Sequence, residues 1–70
     1  MKVWLVSGWD GDNTIFSSKT KAESEYRNRQ NMVNHPTLDY KEGNITISSY
    51  YDIELKQLYA LTMEELEVIE

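Results

Sequence analysis

Ser18-Lys19-Thr20-Lys21-Ala22-Glu23-Ser24-Glu25-Tyr26-Arg27-Asn28-Arg29-Gln30-Asn31-Met32-Val33-Asn34-His35-Pro36 is the stretch on which the fold turns. Ser18 is a good N-cap, and Thr20-Lys21-Ala22-Glu23 offers an alternative capping box. Ala22, Tyr26, Arg29 and Val33 then share one helical face, with Met32 beside them. The apolar stripe is thin, since Glu23, Glu25, Arg27, Asn28, Gln30 and Asn31 all face water. Asn34-His35-Pro36 ends the helix, because proline disfavours a helical residue before it and cannot donate to the ladder. The pattern predicts one principal helix from about residue 18 to residue 34.

Upstream, Val3, Leu5 and Ser7 alternate with Trp4 and Val6, so both faces of this run are apolar and it reads as a central strand. Gly8-Trp9-Asp10-Gly11-Asp12-Asn13 is a dense turn signal, and Thr14-Ile15-Phe16-Ser17 reads as the returning strand of a hairpin. Downstream, Thr37-Leu38-Asp39-Tyr40 and Asn44-Ile45-Thr46-Ile47 flank Lys41-Glu42-Gly43, which predicts a second hairpin turning at the glycine. Tyr51, Ile53, Leu55, Gln57 and Tyr59 alternate with Asp52, Glu54, Lys56 and Leu58, the period of a strand with one wet face. Thr62-Met63-Glu64-Glu65 matches a capping box and predicts a short C-terminal helix through Leu66 and Ile69. The expected fold class is α+β: a single domain over residues 1–70 with a small mixed or antiparallel sheet, ordered ββα and then two or three strands.

Seventy residues bury only about 60% of the surface their unfolded form exposes. The chain has no cysteine and a single histidine, so the usual staples of miniature proteins are missing and a homodimer is expected. The first residues, with one base and four consecutive apolar positions, do not make a signal h-region, and no run approaches a membrane span. A cytoplasmic protein is expected on that basis. The net charge is −5, and six acids against six bases through Tyr51 leave the whole excess in Asp52, Glu54, Glu64, Glu65, Glu67 and Glu70, opposed by Lys56 alone.

Catalytic and metal chemistry find little footing. Asp10-Gly11-Asp12-Asn13-Thr14 follows a hydrophobic strand as the nucleophile motif of haloacid-dehalogenase phosphatases does, but Gly8 and Trp9 interrupt that strand and the residue types are those that turns require. Read as a calcium loop, the same segment puts Ile15 where glycine is needed and Lys21 where a bidentate glutamate is needed. His35 excludes multi-histidine sites by being alone, and no serine lies in a nucleophile elbow. The expectation is a non-enzymatic binding protein with no catalytic residue, metal or cofactor. Tyr50 and Tyr51, with Trp4, Trp9 and Tyr59, are either interface anchors or core. The acids are either a solvated face or a surface for a basic partner. Direct nucleic-acid binding is disfavoured, because Lys19, Lys21, Arg27 and Arg29 are interleaved with Glu23 and Glu25.

With its acidic end (Asp52, Glu54, Glu64, Glu65, Glu67 and Glu70), adjacent Tyr50 and Tyr51, and no cysteine, the chain resembles the small early proteins of lytic bacteriophages, including DNA-mimic inhibitors. That resemblance implies an inhibitor in the host cytoplasm that occupies the DNA site of a basic host protein, such as a nucleoid protein. Two other classes stay open: an adaptor or structural homo-oligomer using an aromatic surface, and a small enzyme subunit.

Overall fold

The computed structural model describes residues 1–69. Its elements run β1 (Lys2–Ser7), β2 (Asn13–Phe16), α1 (Lys19–Asn31), β3 (Leu38–Glu42), β4 (Ile45–Asp52) and β5 (Gln57–Glu67). The five strands form one antiparallel sheet in the order β2-β1-β5-β4-β3, and among the described residues α1 is the helix that covers it. The fold is α+β as expected, and of the two sheet types the antiparallel one is present.

The predicted local signals explain three elements. Ser18 caps α1 in extended conformation, its hydroxyl accepting from Lys21 N at 3.4 Å, and Ala22 N donates to Ser18 O at 3.0 Å. The helix stops at Asn31, short of the predicted residue 34, where Met32 N donates to Arg29 O. The β1–β2 hairpin pairs Trp4 with Phe16 and Val6 with Thr14. The β3–β4 hairpin pairs Glu42 with Ile45, so its turn is the two residues Gly43 and Asn44, where Lys41-Glu42-Gly43 is the expected turn. Gly43 takes φ +59°, which an L side chain resists, at the turn position where a II′ hairpin uses glycine.

Two predictions fail in the last third. The predicted strand through Tyr51–Tyr59 is a hairpin, with Asp52 paired to Gln57 across a loop of residues 53–56. Asp52 Oδ1 accepts from Leu55 N at 3.1 Å, a local bond that bends the backbone, and Lys56 takes φ +54° without the help of glycine. The predicted C-terminal helix over Thr62–Ile69 is also absent: Thr62–Glu67 is the second half of the 11-residue β5. Here the capping box loses to the sheet. β5 pairs with β1 from Lys2↔Glu67 to Ser7↔Thr62 and with β4 from Ile45↔Glu64 to Asp52↔Gln57, so its amides find partners on both sides. A short helix in its place would leave the inner edges of both β1 and β4 unpaired.

Register sorts the side chains into two layers. Trp4, Val6, Thr14, Phe16, Thr46, Ser48, Tyr50, Tyr59, Leu61 and Met63 share the face under α1. Val6, Ala22, Tyr26 and Leu61 form the buried core, with Trp4, Trp9, Phe16 and Met63 packed on it. Gly8 is buried beside the helix, where an added Cβ would collide with the Arg29 guanidinium, and the Trp9 indole donates to Arg29 O at 2.7 Å. That corner fixes the C-terminal end of α1 to the β1–β2 turn. A 13-residue helix is about 20 Å long. It therefore covers less than half of a molecule whose longest dimension is 45 Å.

Candidate functional site

The second face of the sheet has no layer over it among the described residues. Cross-strand pairing places Ile15, Leu5, Glu64, Ile45 and Glu42 in one row across all five strands. The next row runs Asn13, Ser7, Thr62, Ile47 and Tyr40, and a third runs Ala60, Ser49 and Leu38. Tyr51 with Leu58 closes the face at one end, and Val3 with Leu66 closes it at the other. Ile15, Leu38, Tyr40, Tyr51 and Leu58 are among the exposed large apolar side chains of the chain, each between 46% and 68% exposed. Ile53 and Leu55, in the β4–β5 loop beyond Tyr51 and Leu58, are 81% and 64% exposed.

This face follows directly from the strand sequences. In β4 the alternation puts Ile45 and Ile47 away from the helix and Thr46 and Ser48 toward it. In β1, apolar on both sides, one side serves the core through Trp4 and Val6 and the other presents Val3 and Leu5. Glu42 and Glu64 are the charged residues the strands contribute to this face, and Glu64 stands between Leu5 and Ile45.

The sequence-predicted site residues are dispersed. Tyr50 lies on the helix side, stacked on His35 (centroids 4.8 Å apart) and Tyr59 (5.3 Å), with Trp9 edge-on at 5.2 Å. Burial, with the Tyr59 and Asp52 groups nearby, raises the Tyr50 phenol above its ordinary value. Tyr51, its neighbour in the strand, points the opposite way, onto the open face. Tyr51, Asp52 and Glu54 do meet, around a hollow of about 340 Å3 that His35 and Ile53 also line. Glu64, Glu65 and Glu67 begin seven residues beyond Gln57 on β5, about 24 Å from Asp52. Within that group Glu64 faces the open side, Glu65 reaches Lys2 Nζ at 3.9 Å, and Glu67 meets the N-terminal amine at 3.2 Å. Glu70 lies outside the described residues.

Under α1 the polar groups are internal bonds of the fold. The Tyr26 and Ser48 hydroxyls share a buried hydrogen bond, and Gln30 Nε2 donates to Ser48 Oγ at 2.9 Å and to Asp39 Oδ1 at 3.2 Å. Hydrogen bonding from Ser48 first, and from Thr37 next, holds the Asp39 carboxyl below the usual carboxylate range. A cleft of about 420 Å3 beside the helix mixes Lys19, Arg27 and Lys41 with Glu23 and Glu65 over Trp4 and Tyr26, so it presents no single sign of charge. Among the described residues no helix is long and apolar enough to cross a membrane.

Sequence reasoning missed the open face as a site. The signal was present: β1 is apolar on both sides, Ile45-Thr46-Ile47 alternates, and one thinly apolar helix cannot cover two faces. Comparison with family models, with curated proteins and with solved structures found no match.

Proposed function

We propose that this chain is a non-enzymatic binding protein whose working surface is the open face of its sheet, in the manner of an adaptor or structural oligomer. One observation carries the reading: Val3, Leu5, Ile15, Ile45, Ile47 and Leu58, with Tyr40 and Tyr51, lie on one side of the sheet without a covering layer. Large exposed apolar patches rimmed by polar groups mark interaction surfaces. Tyrosine at such a surface adds rigid contact area and a polar tip.

Inhibition of a basic, nucleic-acid-binding host protein by acidic mimicry is the second reading. It draws support from Glu42 and Glu64, which are joined by no Lys or Arg on the open-face strand positions. It would still need Asp52 and Glu54 to act together with acids about 24 Å away.

Two variants separate these readings. Ile15→Glu with Leu58→Glu changes the apolar face at opposite ends, at side chains that are each 66% exposed and support little of the fold. Glu64→Gln with Glu65→Gln and Glu67→Gln removes charge while keeping size. The measurement is retention of bound protein by the immobilised chain at about 50 and about 500 mM salt. The apolar reading predicts loss of binding in the first variant, no loss in the second, and weak salt dependence. Loss in the glutamine variant together with release by salt would support mimicry in its place.

A further inference from the structure

Building on the open-face reading, we infer that the occupant of this face is a second copy of the chain, packed sheet on sheet into a two-fold β-sandwich with the helices outermost. The first argument is surface area. The chain exposes 5189 Å2, whereas a compact monomer of 8.2 kDa exposes roughly 4,530 Å2, an excess of roughly 650 Å2. The open face accounts for an area of that size: five strands span about 19 Å between the outer axes, and Leu58 to Leu66 on β5 spans about 27 Å. Burying it on both partners removes roughly 1,300 Å2, which falls within the range of specific, stable interfaces.

The second argument is the core. Val6, Ala22, Tyr26 and Leu61 are the apolar residues the described chain buries, a small set to hold five strands and a helix. A face whose covering contributes to folding needs its cover wherever the chain folds, and a second copy is the partner synthesised with it. Pairing the two faces gives a closed arrangement: each face meets its equivalent, so assembly stops at two. Aligned sheets cross at about 30° with interdigitated side chains, which lets Ile15 and Leu5 of one copy reach the Tyr51 and Leu58 end of the other.

Glu64 sets a specific signature. It stands between Leu5 and Ile45, so the sandwich desolvates one carboxylate from each copy without a base on the facing strands. Removing that charge strengthens the dimer. A Lys at a face position meets a carboxylate, whereas a Glu adds to the repulsion.

Sedimentation velocity from about 1 to about 100 μM, with thermal unfolding followed over the same range, tests the assignment. The native chain is expected at twice 8.2 kDa, with a melting midpoint that rises with concentration. Ile15→Glu with Leu58→Glu is expected to weaken association at least tenfold. Glu64→Gln is expected to strengthen it by roughly three- to tenfold, which serves as the measure if the double variant does not fold. A native chain monomeric at every concentration, with a constant midpoint, overturns the second copy and leaves the open-face reading to its salt test. A dimer unaffected by the double variant, or weakened by Glu64→Gln, puts the contact elsewhere and also overturns it.

Discussion

Tyr26 joins the two layers of the molecule. Its ring fills the core beside Ala22, and its hydroxyl meets Ser48, which is fully buried in β4 and also bonded by Gln30. Loss of one partner in a buried set costs about 1–2 kcal/mol, so Tyr26→Phe should lower stability by that amount in denaturant titration, with Ser48 still held by Gln30. The same residue sets an alkaline limit. Burial raises the Tyr26 phenol above its ordinary value, since the phenolate is the form that loses water. A raised folded value contributes stability that is complete below the unfolded value of about 10 and is lost as pH rises through the higher folded one. Native protein should therefore lose stability above about pH 10, and Tyr26→Phe should show a smaller loss over that window. Asp39 has the opposite sign: its depressed carboxyl contributes stability that disappears as pH falls below the ordinary carboxylate range.

Among the elements, the β4–β5 hairpin has the most contested reading, and its loop carries a local cost. Lys56 sits at φ +54°, where a Cβ crowds the following carbonyl. Lys56→Gly should raise stability by about 0.5–1 kcal/mol, read as a higher melting temperature; an unchanged or lower value would mean that the Lys56 side chain supports the loop. The loop also shows where the sequence was legible and where it was not. Ser18, Gly43 and the Gly8–Asn13 cluster act within a few residues of themselves, so α1 and both early hairpins could be read from local chemistry. The end of β5 could not. Thr62-Met63-Glu64-Glu65 has the local preference of a helix start, and what overrides it is the demand of β1 and β4 for a common partner, visible only once the two strands flank it. Asp52 was the one local clue that the alternating run from Tyr51 to Tyr59 bends in the middle.

For the whole molecule, that misreading decided the site. A helix over residues 62–67 would keep Glu64, Glu65 and Glu67 together on its surface; as a strand, β5 turns Glu64 to the open face and Glu65 and Glu67 to the other, and it completes a sheet with an open side. Tyr50 and Tyr51 divide in the same way, one in the aromatic stack under the helix and one on the open face. The missing staples, with five tyrosines and two tryptophans in so short a chain, are what lead the sequence to the expectation of a partner. Which surface meets it depends on strand order, a property of the assembled sheet. Isotope-filtered NOE spectroscopy on a mixture of 13C-labelled and unlabelled chains tests the central claim most directly. Contacts between chains should arise from methyl groups of Leu5, Ile15, Ile47 and Leu58, and the labelled Ala22 methyl, buried under the helix, should give none. Intermolecular contacts confined to the Leu38–Glu42 edge, or no such contacts at millimolar concentration, would contradict the account.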